Sequence, residues 1–223
     1  MTTMLEIAGL SVAISGVPIL TDVTLTVPRG AAVGLIGRNG AGKTTVMRSV
    51  MGLLPPQAGR IGLDGVDLLA RPAQARAALG IGYMPEDRRL VPELTVDENI
   101  LVPAWATGQP DIEKRLVLAY EILPEVQGFG PRKALQLSGG QQKMVALARA
   151  LVCGTKLLLL DEPFEGVAPA LAQRLAAAIS ALRDSGVSVL LSESDYVHSA
   201  ELVDRLYVIE RGIVSARETA GAA

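Results

Sequence analysis

The chain has 223 residues, of which 49% are hydrophobic, and carries a formal net charge of −2 at pH 7; this length allows one substantial core plus a small subdomain. The near balance of charge disfavours a general nucleic-acid binder, and a single cysteine and a single histidine exclude an intrachain disulfide and a zinc site made from these residue types alone. No apolar run is long enough to cross a membrane and no signal-peptide pattern opens the sequence, so we expect a cytosolic protein whose apolar surface meets a protein partner.

The first part of the chain alternates predicted strands with short helices. Strands are expected over residues 4–10, 22–27 and 31–36, and the last is followed by a glycine-rich turn. A helix over 43–51 then ends at Gly52. Further along, the sequence predicts a hairpin over 59–65, a helix over 72–79 and a strand over 81–84.

A mostly helical block over residues 90–137 interrupts this alternation, and Thr95 and Glu98 in it have the spacing of a capping box. Alternating strands and helices indicate a mostly parallel sheet with covered faces, so the fold class is α/β. The elements expected after the block are a helix from about Gly140, a strand over 156–160, a helix over 169–183, a strand from Ser188, a helix to about Val203 and a hairpin over 206–214.

The stretch GRNGAGKT, residues 37–44, satisfies the phosphate-loop pattern G-x-x-x-x-G-K-[ST] between a predicted strand and a predicted helix. An ordinary glycine-rich turn is the alternative, which the complete pattern in this context disfavours. We expect Lys43 to reach the β- and γ-phosphates of a nucleotide, Thr44 to hold Mg²⁺ and Thr45 to add a hydroxyl near the α-phosphate. The backbone amides predicted to face phosphate belong to Gly37, Asn39, Gly40, Ala41 and Gly42.

The stretch KLLLLDEP, residues 156–163, places two carboxylates directly after a buried strand. The carboxyl ends of strands in a parallel sheet face the ligand crevice. We therefore expect Asp161 beside the metal ion, and Glu162 beside the attacking water as the group that orients it or accepts its proton. A solvated acidic loop is the disfavoured alternative.

The stretch LSGGQQKMVALARAL, residues 137–151, together with the two preceding motifs, closely resembles the ATP-binding subunit of ABC transporters. The resemblance covers nearly the whole chain. It implies one nucleotide-binding domain over residues 1–223, built from a P-loop NTPase core, an N-terminal antiparallel β subdomain and an inserted helical subdomain over 88–136. It also implies ATP and Mg²⁺ as cofactors, and catalytic roles for Lys43 and Glu162.

The same resemblance implies the partners. A second ATPase subunit forms a head-to-tail dimer, in which the signature segment of one chain contacts the γ-phosphate held by the other. Permease subunits bind the pair at the cytoplasmic face of the membrane, and a solute-binding protein is an indirect partner. The residues that contact ATP across the dimer fall on Ser138, Gly139, Gly140 and Gln141.

A narrower resemblance comes from GYMPEDRRLVPELTVDENI, LLLLDEPFEGVAP and Met144. These look like the shorter ATPase subunit of branched-chain amino-acid importers, and related systems for urea or other small solutes share the motifs. Two other classes stay open: an assembly or regulatory subunit that hydrolyses ATP weakly, and a soluble ABC-type ATPase of DNA repair or translation. The second usually carries coiled coils or a second ATPase domain, which this sequence lacks.

Four positions depart from the usual pattern of the family. Ser194 stands at the position of the switch histidine and is the third predicted catalytic residue, a neutral donor to the γ-phosphate; His198, one helical turn later, is a disfavoured substitute. Glu86 replaces a glutamine, and we expect it to bind metal or water. Ile14 replaces the aromatic that stacks on adenine, and Ala168 replaces a loop aspartate.

The groove beside the helical subdomain is the expected docking surface for the membrane subunit. Trp105 is also a candidate for the core of that subdomain. The candidate groove residues are Arg88, Arg89, Leu90, Val91 and Trp105.

Overall fold

A computed structural model describes residues 2–108, 111–195 and 201–217 of the chain. Within these residues ten strands form two sheets, and seven α-helices flank them. No helix in the described ranges is both long and apolar enough to traverse a bilayer.

Strands from the first third of the chain form a four-stranded antiparallel sheet, in the order β2-β1-β4-β5. One face is apolar, with Leu5, Ile7 and Leu10 fully buried. The first two strands are longer than predicted, because Ser15 and Gly16 form a tight turn with positive φ angles of 51° and 81° that closes a hairpin. The strands are β1 (Thr3–Ile14), β2 (Val17–Pro28), β4 (Ala58–Leu63) and β5 (Val66–Asp67).

The second sheet has six strands in the order β10-β9-β3-β8-β7-β6. Its five strands β9, β3, β8, β7 and β6 run parallel, and β10 adds an antiparallel edge. Strands β7 and β8 are buried along their whole length, as expected when helices cover both faces. The strands are β3 (Ala32–Ile36), β6 (Ile81–Met84), β7 (Leu157–Asp161), β8 (Ser188–Glu193), β9 (Arg205–Glu210) and β10 (Ile213–Arg217).

The helices largely follow the predicted order. The capping box is confirmed, since Thr95 Oγ1 accepts from the Glu98 amide at 3.2 Å and Glu98 Oε2 accepts from the Thr95 amide at 2.7 Å. The helix predicted over 72–79 is only one turn long. The α-helices are α1 (Lys43–Val50), α2 (Ala75–Ala78), α3 (Val96–Thr107), α4 (Ile112–Ile122), α5 (Pro124–Gln127), α6 (Gly139–Cys153) and α7 (Pro169–Asp184).

The predicted α/β fold, with a parallel sheet and an N-terminal antiparallel sheet, is confirmed. The helix expected to end near Val203 is wrong at its end, since residues 201–202 form a turn. The rest of that helix, with His198, lies outside the described residues. In the parallel sheet, Ile36 pairs with Glu193 and Asp161 with Ser192. The carboxyl ends of β3, β7 and β8 therefore meet at one edge, and this edge carries the site.

Candidate nucleotide site

The phosphate loop connects the end of β3 to the start of α1. Gly42 has a φ of 113°, in the left-handed region that favours glycine. A Cβ on Gly37 would collide with the carbonyl oxygen of Ile209, so this position also requires glycine. The loop closes through a hydrogen bond from the Ala41 amide to the Arg38 carbonyl at 3.0 Å. The amides at the start of α1 lie at the positive end of a helix, where anions bind favourably.

Lys43 is buried, and its ammonium is surrounded by acceptors. It donates to the carbonyl of Gly37, to the carbonyl of Arg38 at 3.2 Å, and pairs with Glu162 Oε1 at 2.8 Å. The two charged side chains are 5% and 4% exposed. Such a pair is stable only when further hydrogen bonds satisfy both charges. The two carbonyls provide these bonds for Lys43.

Glu162 has an unusual backbone, with a φ of 50°. Its amide donates to the Ser192 carbonyl at 3.1 Å. Its carboxylate accepts from the Ser194 amide at 3.1 Å and from the Ser194 hydroxyl at 2.9 Å, in addition to Lys43. The same hydroxyl lies 2.7 Å from Asn39 Oδ1. The Ser194 hydroxyl has one proton, so Glu162 and Asn39 of the phosphate loop are alternative acceptors for it.

Asp161 ends β7 and is fully buried. Burial raises the pKa of its carboxyl, while hydrogen bonds from Ser192 and Thr44 lower it. Oδ1 accepts from the Ser192 hydroxyl at 2.6 Å, and Oδ2 has no hydrogen-bond partner among the described residues. A buried carboxylate oxygen without a partner, beside a threonine hydroxyl, fits a Mg²⁺ ion or a water of its coordination shell.

A cavity of 430 Å³ joins many of the predicted residues. Glu86 lies in its wall, and burial, followed by the charges of Glu165 and Asp161, raises the pKa of the Glu86 carboxyl. Ile14 lines the cavity while 40% exposed, which provides an apolar wall without a ring. The lining consists of Ile14, Ile19, Asn39, Gly40, Gly42, Lys43, Thr44, Thr45, Glu86 and Glu162.

The signature segment lies at the start of α6. Ser138 caps the helix by accepting from the Gln141 amide at 3.3 Å, and Gln141 Oε1 accepts from the Ser138 amide at 3.0 Å. Ser138 and Gly139 are exposed, and Gly140 and Gln141 are half-buried. As far as the described residues define the cavity, its lining includes no residue of this segment. The structure therefore does not bring the four predicted signature residues to the nucleotide cavity of the same chain.

A second cavity, of 460 Å³, lies between the sheet and the helical block. Of the five predicted docking residues, Arg89 and Val91 line it. Trp105 is 52% exposed, so the alternative that it belongs to the core is wrong. Leu90 instead packs against the core, and the Arg88 guanidinium donates to the Gly139 carbonyl at 3.3 Å. Ala168 is the N-cap residue of α7 and offers no side-chain oxygen for capping.

Three residues of this region were not among the predicted site residues. Ser192 binds Asp161, as described above. Glu193 is 6% exposed and accepts from the Phe164 amide at 3.0 Å. Lys143 is 6% exposed and donates to the Glu162 carbonyl at 2.8 Å. The run of polar residues after the apolar part of β8 is a sequence signal for Ser192 and Glu193. The only signal for Lys143 is a lysine among apolar helix residues.

Comparison with known proteins agrees with this geometry. The ABC transporter family model matches residues 20–165. The chain is 35% identical to the high-affinity branched-chain amino acid transport ATP-binding protein BraG of Pseudomonas aeruginosa, covering 98% of this chain and 94% of that protein. It is 36% identical to the lipopolysaccharide export system ATP-binding protein LptB of Escherichia coli, covering 95% of this chain and 88% of that protein.

A solved structure of an ATP-binding subunit of an ABC transporter superimposes with a TM-score of 0.86 at 30% identity, covering 97% of this chain and 90% of that chain. The match of the family model to more than half of the chain and the two full-length relatives agree with the motifs in the site. The chain belongs to the ABC transporter family as a nucleotide-binding ATPase subunit.

Proposed function

We propose that this ATPase subunit powers import of branched-chain amino acids or a related small solute. The similarity to BraG over 98% of the chain supports this solute class, as do the segments around Glu86 and Glu162. The similarity to LptB, whose name describes lipopolysaccharide export, supports a second candidate, an export ATPase. The two candidates differ in solute and direction and share the same ATP chemistry.

The observation that supports the ATPase role of particular residues is the contact between Lys43 and Glu162 in the wall of the cavity, with the Ser194 hydroxyl 2.9 Å from Glu162. Lys43 and the phosphate-loop amides bind the phosphates of ATP. Thr44 and Asp161 would hold Mg²⁺, and Glu86, which lines the 460 Å³ cavity together with them, would be a further oxygen donor. The ion would neutralise phosphate charge when bound. Thr45 and Ile14 contact the nucleotide farther from the reacting phosphate.

Glu162 is the group that accepts a proton from the attacking water. Its carboxylate is held by Lys43, so an arriving γ-phosphate competes with Glu162 for that ammonium. Transfer of Lys43 from carboxylate to phosphate leaves Glu162 with the two hydrogen bonds from Ser194 and free to orient water. Ser194 donates a hydrogen bond at this end of the site but brings no positive charge, so the reaction is slower than with an imidazolium there.

The exposed signature segment supports a head-to-tail dimer with a second ATPase subunit, identical or different. Ser138, Gly139, Gly140 and Gln141 then contact the ATP held by the partner. The 460 Å³ groove is lined by Arg89 and Val91 as well as by the metal-site residues Thr44, Glu86 and Asp161, and its Arg89 and Val91 portion is the docking surface for the permease. The chain thus works as a peripheral subunit at the cytoplasmic face of the membrane, and a solute-binding protein delivers the solute to the permease.

A deletion strain tests the solute class. Uptake of radiolabelled leucine should fall in cells lacking this chain and return with the parent sequence, but not with Glu162→Gln. Unchanged leucine uptake with loss of urea uptake would assign a related importer. Accumulation of lipopolysaccharide at the inner membrane would instead support the export ATPase. Turnover that stays negligible with all transporter subunits present would identify a regulatory subunit.

A further inference from the structure

Lys143 connects two parts of the molecule that are far apart in sequence. It lies on α6, two residues after Gln141, at the end of the signature segment. Its ammonium donates to the backbone carbonyl of Glu162 at 2.8 Å and to the backbone carbonyl of Glu165. The side chain is 6% exposed, so this contact is made inside the protein.

A buried lysine at this position has a cost in free energy, because its charge is removed from water. A side chain that only filled space would avoid that cost. Burial lowers the pKa of Lys143, and the charges of nearby acidic side chains, Glu165 and Glu162 among them, act in the opposite direction. The next residues of the helix, Met144 and Val145, are buried and apolar. An aliphatic side chain at position 143 would continue that surface without desolvating a charge.

The turn that Lys143 holds is the turn that carries Glu162. Two residues of this turn, Glu162 and Gly166, have positive φ angles of 50° and 64°. A non-glycine residue in this region is strained and persists only where its surroundings fix it. Lys143 binds the carbonyl of Glu162 itself and that of Glu165, next to Gly166, and Glu193 accepts the Phe164 amide. The turn is therefore held by both α6 and β8.

We propose that Lys143 is a positioning residue for Glu162, and that it ties the signature segment to the catalytic carboxylate of the same chain. This rests on the proposed roles of Glu162 and of the signature segment. The signature segment of one chain closes over the ATP of its partner, whereas Glu162 serves the ATP held by its own phosphate loop. Closure of α6 on the partner's ATP therefore moves or steadies Glu162 at the other site, and Lys143 couples the two ATP sites of the dimer.

Steady-state ATPase kinetics of the assembled transporter test whether Lys143 positions Glu162. Lys143→Met keeps the length of the side chain and removes its donors. We expect kcat to fall about 10- to 100-fold, the effect of a misplaced catalytic group, with KM for ATP within about twofold of the parent. Lys143→Arg can still donate to both carbonyls and should restore most of the rate. The matched control is Lys114→Met, because Lys114 on α4 is 82% exposed.

A double-mutant cycle with Glu162→Gln tests whether Lys143 acts through Glu162. Adding Lys143→Met to Glu162→Gln should cause no further loss of the residual rate. Independent, additive losses would overturn the proposal, as would a Lys143→Met rate within about twofold of the parent. Equal loss of kcat and ATP binding, without rescue by Lys143→Arg, would also overturn it, because a general structural defect has that signature.

Folding of each variant is checked by thermal unfolding. If Lys143→Met does not fold, Lys143→Gln, which retains one donor group of shorter reach, is judged by the same criteria. An inactive Glu162→Gln with a fully active Lys143→Met would overturn only the role of Lys143. A fully active Glu162→Gln would overturn the proposed function of Glu162 and this inference with it.

Discussion

Glu162→Gln should nearly stop ATP hydrolysis while preserving ATP binding. The substitution keeps the shape of the side chain and removes its negative charge and its capacity to accept a proton at neutral pH. Loss of a positioned general base typically lowers a rate by about 10²–10⁴-fold. We therefore expect kcat to fall into that range in the assembled transporter.

The structure also sets the expected effect on ATP affinity. In the parent, the phosphate must displace Glu162 Oε1 from Lys43, a contact of 2.8 Å between two buried charges. In the variant the amide oxygen is a neutral acceptor and competes less strongly. A difference of about 1 kcal/mol between a charged and a neutral hydrogen bond corresponds to about fivefold tighter ATP binding.

The stability of the variant should fall. An amide oxygen at the Oε1 position keeps the bonds to Lys43 and to the Ser194 hydroxyl, but the amide nitrogen then faces the Ser194 N–H, 3.1 Å from Oε2, donor against donor. One lost hydrogen bond lowers the free energy of unfolding by about 1–3 kcal/mol. Lys43 retains the two carbonyls of the phosphate loop, which limits the loss.

Phosphate release, nucleotide affinity and urea unfolding measure the three quantities. Glu113→Gln, at an exposed acid on α4, is the control for removal of a negative charge. Turnover within about twofold of the parent would show that Glu162 is not the catalytic carboxylate. Affinity that falls by about tenfold or more would refute the competition between Glu162 and phosphate for Lys43.

Substitutions at Lys43, Ser138 and Glu193 test other parts of the site. Lys43→Ala should abolish most ATP binding. It should also lower the free energy of unfolding by about 3–5 kcal/mol, because Glu162 is left as a buried unpaired charge. Near-parental nucleotide affinity in a filter-binding assay would contradict the phosphate-loop assignment. Ser138→Arg should stop hydrolysis by the assembled transporter without changing ATP affinity of the isolated chain, and parental turnover would contradict a contact across the dimer. Glu193→Gln should reduce the loss of stability with rising pH, since burial raises the pKa of Glu193 to about 8. The native protein holds a proton there that the unfolded chain releases above about pH 4.5, so the parent loses up to about 1.4 kcal/mol of stability per pH unit across this window. Urea unfolding at about pH 6 and about pH 8 measures the slope, and identical slopes for variant and parent would contradict the assignment.

The predictable part of the site consists of features that are contiguous in the chain. The phosphate loop needs a strand, a glycine-rich turn and a helix in succession, and residues 32–50 have all three. The acidic pair directly follows a buried strand. Parallel pairing then brings the two features to one edge of the sheet. The sequence pattern is therefore enough to place Lys43 near Glu162.

The residues behind Glu162 were not predictable in this way. Strand alternation separates Ser192 and Ser194, which face the acidic pair, from Glu193, which turns toward the Phe164 amide. Lys143 reaches the same turn only because α6 packs across it, and no local pattern indicates that contact. The extra length of β1 was missed for a local reason, since register shifts interrupt its alternation between Ile7 and Ala13.

The two buried lysines bind different parts of Glu162. Lys43 binds the carboxylate, and Lys143 binds the backbone carbonyl of the same residue. In the proposed mechanism, ATP takes over Lys43 and the Glu162 side chain turns to water, while the backbone stays fixed by Lys143 and by the Ser192 carbonyl that accepts the Glu162 amide. After that change of partner the position of the carboxylate depends on Ser194, whose amide and hydroxyl lie within hydrogen-bond distance of it, and on the backbone. Holding the backbone separately lets the side chain change partner while the geometry for attack is retained.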